Sequence, residues 1–200
     1  VGRNDPDKTP FSLYSSTLSF SAASAYSNPA GQYGDATLAD LNEDGKLDLV
    51  VANARTDYSH QNSLTIFMND GLGGFDSADI RNMNCQPVQH VRAADVNKDG
   101  HLDLVFPCND HGYYVGVMLN RKSGDRWGNF GTPQYTRELQ SFGNGCYRTT
   151  SVDVADFDND GTPDLAIGCY HQSVQIWKGN GGGSFSFRSS WYFDSEPHYY

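Results

Sequence analysis

Short stretches of alternating hydrophobic and polar residues run along the chain, bounded by glycine, asparagine and aspartate. Period-two alternation of this kind is typical of β-strands with one buried face. The clearest stretches carry Leu64, Ile66 and Met68; Val115, Val117 and Leu119; and Val174 and Ile176. No stretch shows a convincing amphipathic-helix period. The pattern therefore predicts an all-β protein built of short strands.

These strands belong to a repeat, whose pitch of 55 residues is marked by Phe20, Phe75, Phe130 and Phe185. In each repeat the first two strands flank an acidic loop, the third is the alternating stretch, and the fourth begins near the marker phenylalanine. The first and second strands are expected at Ala36–Leu41 and Leu47–Ala52, at Val91–Val96 and Leu102–Phe106, and at Val152–Phe157 and Asp164–Gly168. Repeated units of four antiparallel strands are typical of β-propeller blades.

The repeat divides the chain into about three and a half blades. The expected parts are the end of an incomplete blade at 1–19, repeats at 20–74, 75–129 and 130–184, and a final outer strand at 185–200. Because propellers typically have about four to eight blades, we expect one propeller domain or a fragment of one. The same longer chain or another subunit would supply the remaining blades.

Each repeat carries a nine-residue acidic loop with oxygen-bearing side chains at positions 1, 3, 5 and 9 and glycine at position 6. Position 7 would contribute only its backbone carbonyl. The candidate ligands at positions 1, 3, 5, 7 and 9 are Asp40, Asn42, Asp44, Lys46 and Asp48; Asp95, Asn97, Asp99, His101 and Asp103; and Asp156, Asp158, Asp160, Thr162 and Asp164. Oxygen ligands with several carboxylates suit Ca²⁺ better than Mg²⁺ or Zn²⁺.

Two observations bear on the metal prediction. An EF-hand would need a glutamate at position 12, where these loops have Val51, Phe106 and Ile167 in apolar strands. The loops could also be aspartate- and glycine-rich turns without metal. Three copies in one register favour the metal, since carboxylates crowded into nine residues repel one another without a cation. We therefore expect three calcium ions.

The loop pattern Asp-x-Asn/Asp-x-Asp-Gly-x-x-Asp-Leu, followed by a hydrophobic strand and Gly-x-Phe, resembles the FG-GAP/VCBS-type repeat over residues 20–185. That repeat builds the calcium-stabilised propellers of integrin alpha subunits, certain fungal lectins and accessory domains of secreted enzymes. The Phe-Gly and Gly-Ala-Pro signatures are not intact, with Phe130-Gly131-Thr132-Pro133 the nearest, which favours a VCBS-like branch. The resemblance implies that the loop residues are structural ligands that support the hairpin.

The four cysteines follow the repeat. Cys85 and Cys108 flank the second acidic loop at the same offsets as Cys146 and Cys169 flank the third. Of the three possible pairings, only Cys85–Cys108 with Cys146–Cys169 respects the repeat, so these two disulfides are expected. The alternative is four buried thiols. Disulfides together with calcium loops predict an extracellular, secreted protein.

Charge and motifs exclude several classes of function. The formal charge is −10, and ten carboxylates occupy the candidate ligand positions, so the other 14 acidic residues balance the 14 lysines and arginines. No basic stripe for nucleic acid and no apolar run long enough to span a membrane occurs. The sequence also lacks the Gly-x-Ser-x-Gly, His-Glu-x-x-His and P-loop motifs, so no catalysis is expected.

The connections between second and third strands combine tyrosine with planar polar side chains, a composition that suits sugar recognition. The candidate ligand-binding residues are Asp57, Tyr58, His60, Asn109, Asp110, His111, Tyr113, Tyr170, His171 and Gln172. The same composition is also usual for polar loops and protein interfaces. Two hypotheses follow: a non-catalytic extracellular recognition or adhesion module, with glycan favoured over protein as ligand, or a scaffold part of a larger secreted assembly or multidomain enzyme.

Overall fold

A computed structural model describes residues 34–54, 62–72, 74–75, 79–83, 85, 88–108, 113–123, 126–137, 146, 148–170 and 173–193. Within these residues there are fourteen strands and no helix, so the all-β prediction is confirmed. No helix in the described part has the length and hydrophobicity needed to cross a bilayer. The predicted incomplete blade at 1–19 lies outside the described residues.

Twelve of the described strands form three antiparallel four-stranded sheets, which have the strand order of propeller-like blades. The first blade contains β1 (Ala36–Ala39), β2 (Asp48–Asn53), β3 (Asn62–Phe67) and β4 (Asp79–Met83). The second contains β5 (Arg92–Ala94), β6 (Asp103–Pro107), β7 (Tyr113–Met118) and β10 (Gln134–Arg137). The third contains β11 (Thr149–Ala155), β12 (Asp164–Cys169), β13 (Ser173–Gly179) and β14 (Phe185–Tyr192).

The second blade differs from the sequence prediction in the connection to its fourth strand. There, β8 (Asn120–Ser123) and β9 (Arg126–Phe130) pair as a separate hairpin. The marker Phe130 therefore ends the hairpin, and the fourth strand of the blade begins four residues later. The hairpin brings Phe130 into the hydrophobic core between the first two blades, where it is 2 % exposed.

Two hydrophobic cores join consecutive blades. The first contains Leu41, Val50 and Ile66 of the first blade with residues of the second, and the other joins the second and third blades. In β6 every residue is buried: Leu104 and Phe106 lie in the first core, and Val105 between them lies in the second. Because side chains alternate along a strand, one strand serves both cores.

A network of charged side chains links the first strands of all three blades. Asp35, next to β1, accepts a hydrogen bond of 2.7 Å from Arg92 in β5 and lies 3.0 Å from His90 Nε2. Arg92 is also 3.7 Å from Asp153 in β11. The backbone N–H of Val152 in β11 donates to His90 Nδ1 over 3.4 Å. Blades are thus joined by polar contacts as well as by the cores.

Candidate metal centres

Each acidic loop joins the first two strands of a blade, and its first aspartate organises the turn. We call these the first (Asp40–Asp48), second (Asp95–Asp103) and third (Asp156–Asp164) aspartate loops. In the first loop, Asp40 accepts hydrogen bonds from the backbone N–H groups of Asp44 (3.1 Å) and Gly45 (2.8 Å). Asp95 and Asp156 accept the equivalent pairs at 2.8–3.1 Å. The three loops therefore share one local geometry.

Position 4 is a strained point that the sequence pattern does not reveal. Its residue is left-handed in all three loops, with φ of 62° at Glu43, 62° at Lys98 and 58° at Asn159. Such a conformation is uncommon for residues other than glycine and persists only where the surroundings hold it. The hydrogen bonds that the N–H groups of positions 5 and 6 donate to the aspartate at position 1 supply that constraint.

The aspartate at position 9 is buried in every loop, at 0 % exposure for Asp48 and Asp103 and 2 % for Asp164. In the second loop, one oxygen of Asp103 accepts from the Val96 N–H (3.1 Å) and the other from the Asn120 N–H (2.8 Å). Asp48 and Asp164 accept hydrogen bonds from the backbone N–H groups at the equivalent two positions of their own blades. This carboxylate therefore fastens the loop to the end of the third strand.

Burial makes the ionised form of two of these carboxylates less favourable. Burial raises the pKa of Asp103 to about 6; the hydrogen bonds from Asn120 and Val96 oppose that rise, and the charges of Asp99 and Asp95 add to it. Burial likewise raises the pKa of Asp48, against the hydrogen bonds from Asn69 and Leu41. A cation in the loop would relieve this repulsion.

The donor set of the loops fits calcium. Carboxylate and amide oxygens at positions 1, 3, 5 and 9, with a backbone carbonyl at position 7, are the hard ligands that Ca²⁺ prefers. In the third loop, ligand atoms of Asp156, Asp158 and Asp164 lie within 4.8 Å of one another. Positions 1, 3 and 9 of the third loop are therefore brought together, whereas the described residues of the first two loops contain no such group of three carboxylates. The full ligand set and calcium itself stay predictions.

Lysines contact two of the loops. Lys46 lies 3.3 Å from Asp44 and 3.4 Å from the backbone oxygen of Asp70. In the third loop, Lys178 from β13 contacts Asp158 and lies 2.7 Å from Asp160. The Lys178 ammonium lowers the pKa of Asp160, and the N–H of Thr162 adds to this effect. Lys178 was not among the predicted site residues.

The first two loops are braced by the following blade. Leu41 and Val96, at position 2, are 0 % and 1 % exposed in the two cores. The Asn120 side chain of the second blade donates to the Leu41 carbonyl (2.8 Å), and the Gly183 N–H of the third blade donates to the Val96 carbonyl (3.2 Å). The His101 side chain also contacts the Glu43 carboxylate, which joins the first loop to the second.

The cysteine prediction is half right. Cys146 and Cys169 form a disulfide with a Cα–Cα distance of 5.2 Å, whereas Cys85 and Cys108 are not joined by one, although both are buried in the first core. The strand pairing explains the difference. Pairing of β11 with β12 continues to Cys169, but β5 pairs with β6 only as far as Val105, short of Cys108. Repeat symmetry alone did not reveal that shorter pairing.

Most of the candidate ligand-binding residues lie outside the described part of the chain: Asp57, Tyr58, His60, Asn109, Asp110, His111, His171 and Gln172. Tyr113 begins β7. Tyr170 follows β12 and is 56 % exposed, and its N–H donates to the Arg148 carbonyl. The grouping of these residues into one surface stays a prediction.

Several residues that support the aspartate loops were not identified from the sequence, although the repeat contains the signal for them. The N–H groups that reach position 9 belong to Asn69, Asn120 and Gly179, so these three positions are equivalent. An alignment on this position places Lys178 opposite Met68 and Leu119. A charged residue in a column of apolar ones marks the third loop as different.

Comparison with known proteins agrees with the loop geometry. A family model described as an FG-GAP-like repeat matches residues 40–106 and 156–200, more than half of the chain. The first match begins at position 1 of the first aspartate loop and includes the second, and the other begins at position 1 of the third. Among curated proteins, none matches the chain. With the family model covering all three loops, the chain belongs to the FG-GAP-like repeat family.

Proposed function

We propose that this chain is a non-catalytic, extracellular calcium-binding propeller module for recognition or adhesion, with a glycan favoured over a protein as ligand. The observation that carries the calcium part is the acidic loop, which occurs three times. Each copy has a buried aspartate at position 9 and three further oxygen-bearing side chains at positions 1, 3 and 5. The loop carboxylates accept hydrogen bonds from backbone N–H groups, which hold their oxygens in position for ligation. The Cys146–Cys169 disulfide supports an oxidising, extracellular setting.

Calcium would stabilise the blades and leave the recognition surface to other residues. Positions 1, 3, 5 and 9 and the position 7 carbonyl would hold the ion, which would neutralise the carboxylates at each hairpin tip. Three bound ions would change the formal charge from −10 to −4. Because a ligand that binds only the folded state stabilises it, calcium should raise the melting temperature.

The calcium proposal is tested by thermal unfolding in EDTA and then in excess calcium or magnesium. We expect calcium to raise the melting temperature clearly and magnesium to do so much less. Asp99→Asn removes an exposed ligand carboxylate and should reduce the calcium effect. Asp153→Asn removes the same charge from an exposed position in β11 and should leave it unchanged. Equal melting temperatures in EDTA and calcium would refute the metal sites.

The recognition proposal is tested separately by a glycan-array screen in calcium. Tyrosine rings stack on sugar rings while the polar side chains of the same connections bond hydroxyl groups. We expect binding that is lost in Tyr113→Ala or His111→Ala and retained in Phe193→Ala, an exposed aromatic outside these connections. If no glycan on the array binds while calcium still raises the melting temperature, the calcium part of the proposal stands and the glycan part is wrong.

A second candidate function is a scaffold in a larger secreted assembly or multidomain enzyme, and an exposed apolar face favours it. Phe157 and Trp191 of the third blade are 47 % and 53 % exposed and line a cavity of about 380 Å³. The equivalent faces of the first two blades are covered by the following blade. Further blades, from a longer chain or another subunit, would cover this one. A native mass well above 22.0 kDa would support this role, and a stable monomer of this chain would not.

A further inference from the structure

The end of the third strand differs between blades in one residue. Met68, Leu119 and Lys178 are equivalent, because each precedes the residue whose N–H donates to the position 9 aspartate. Met68 and Leu119 are apolar and pack against the first and second cores. Lys178 instead lines the cavity on the far face of the third blade with Phe157 and Trp191.

The apolar residues at this position are covered by a glycine of the following blade. A Cβ added to Gly128 would lie 2.6 Å from Met68 Cε, and one added to Gly183 would lie 2.9 Å from Leu119 Cδ2. A lysine at either position would have to place its aliphatic stem in that close contact between blades. The third blade has room for a long charged side chain, and its ammonium turns towards the loop carboxylates.

The third loop has four carboxylates at its candidate ligand positions, whereas the other two loops have three each. It has Asp158 at position 3, where the other loops have Asn42 and Asn97. By donor charge alone, the third loop should bind calcium most tightly. Lys178 contacts both Asp158 and Asp160, whereas in the described contacts Lys46 reaches one carboxylate of the first loop, that of Asp44.

We propose that Lys178 is a tethered counter-cation of the third aspartate loop, and that it makes this loop the weakest of the three calcium sites. The proposal rests on the calcium-binding function proposed above. Calcium must displace the ammonium from two ligand carboxylates or bind beside it, and like charges at such short range repel strongly. When calcium is scarce, the third loop releases its ion first and is held in shape by Lys178.

The test is a calorimetric calcium titration of the whole chain and of Lys178→Met, which introduces the residue found at the equivalent position in the first blade. In the unmodified chain we expect two tighter sites and one weaker site. In Lys178→Met the weak site should tighten by about tenfold or more and become the tightest, because an opposing charge is removed from beside two ligands. Asp156→Asn, which removes position 1 of the third loop, should abolish that site in both backgrounds and so assign it.

Three controls separate the tethered charge from other effects. Lys178→Arg keeps the cation and should keep the third site weak. Arg188→Met removes a positive charge from the same cavity, and the described contacts include no ion pair of Arg188 with the loop, so affinity should be unchanged. Lys178→Gln repeats the test without an added apolar side chain. In EDTA, Lys178→Met should melt below Arg188→Met, because the third loop loses its counter-cation.

The outcomes are distinct. A third site as tight as the others in the unmodified chain, or one that moves less than about twofold in both Lys178→Met and Lys178→Gln, would overturn the role of Lys178 while the calcium proposal stands. No calcium uptake by any of these proteins would overturn both. Tightening in Lys178→Met and Lys178→Gln, without a change in Arg188→Met, would support the tethered cation.

Discussion

The first and third aspartate loops have the same backbone geometry and different supports. Position 2 of the first loop, Leu41, is fully buried under the second blade, and its carbonyl accepts a hydrogen bond from Asn120. Position 2 of the third loop, Phe157, is 47 % exposed. The third blade has instead the Cys146–Cys169 disulfide and the Lys178 ion pairs. The loop conformation is therefore a local property of nine residues, while its stability depends on contacts from elsewhere.

The largest expected effect comes from removal of the packing under the first loop. Leu41→Ala would leave a cavity in the first core and should lower the free energy of unfolding by about 3 kcal/mol. Phe157→Ala, at the equivalent position of the third loop, should cost about 1 kcal/mol or less, because its side chain is already partly in water. Urea unfolding followed by tryptophan fluorescence measures both.

The same pair of variants tests whether the first loop is covered in solution and the third is not. If Phe157→Ala destabilises as strongly as Leu41→Ala, then another blade or another molecule covers the third blade in solution. Repetition of the measurement over a hundredfold range of protein concentration separates the two causes. A cost that grows with concentration indicates association between molecules.

The disulfide of the third blade should have a comparable effect. Cys146→Ser with Cys169→Ser removes a cross-link between residues 23 apart in sequence, and a closed loop of about this length corresponds to about 3 kcal/mol. Reduction with dithiothreitol should lower the melting temperature of the unmodified chain and leave that of the double variant unchanged. A melting temperature insensitive to both reduction and substitution would show that the third blade is held by other contacts.

The sequence could predict the loops because their determinants are local. Aspartate, asparagine and glycine at fixed spacing specify the turn, and strand alternation specifies the blades. The left-handed residue at position 4 was not predictable, since Glu43, Lys98 and Asn159 share no chemistry. Only the hydrogen bonds around that residue fix its conformation.

Features that depend on contacts between residues distant in sequence were harder to predict from the sequence. The sequence did not reveal the β8–β9 hairpin, because Phe130 keeps the repeat pitch and therefore indicated the start of the fourth strand. The Cys85–Cys108 pair has the right spacing, but the pairing of β5 with β6 ends before Cys108. The role of Lys178 depends on which face of β13 lacks a neighbour among the described residues. In each case the deciding contact comes from another strand or blade.

A third prediction concerns the polar braces of the loops. Asn120 is 3 % exposed and donates to Leu41 of the first blade and to Leu102 of its own, while it accepts from the Gly128 N–H. Asn120→Ala would leave these buried groups unsatisfied and should cost about 2 kcal/mol. Asn69→Ala, at the equivalent position of the first blade, should cost less than about 1 kcal/mol, because its bond to Leu47 is exposed. Equal costs in urea unfolding would contradict a brace between blades.

The smallest expected effect is a pH dependence of the link between the second and third blades. His90 Nδ1 accepts from the Val152 N–H, so its proton is assigned to Nε2, which donates to Asp35. Burial lowers the pKa of His90 below 6.5, and the positive charge of Arg92 adds to this, against the attraction of Asp35 and Asp153. Since the unfolded chain binds the proton more readily, the contribution of His90 is complete above pH 6.5 and is lost as the pH falls through its lower folded value.

This contribution can be isolated with His90→Gln, whose amide can still donate to Asp35 but does not titrate. Urea unfolding in saturating calcium between pH 7.5 and 5.5 should show the unmodified chain losing stability with acidification more steeply than the variant. The difference between the two curves removes the titration of the loop carboxylates, which both proteins share. Parallel curves would mean that protonated His90 is held as well as the neutral form, so that the third blade does not depend on the Val152 bond.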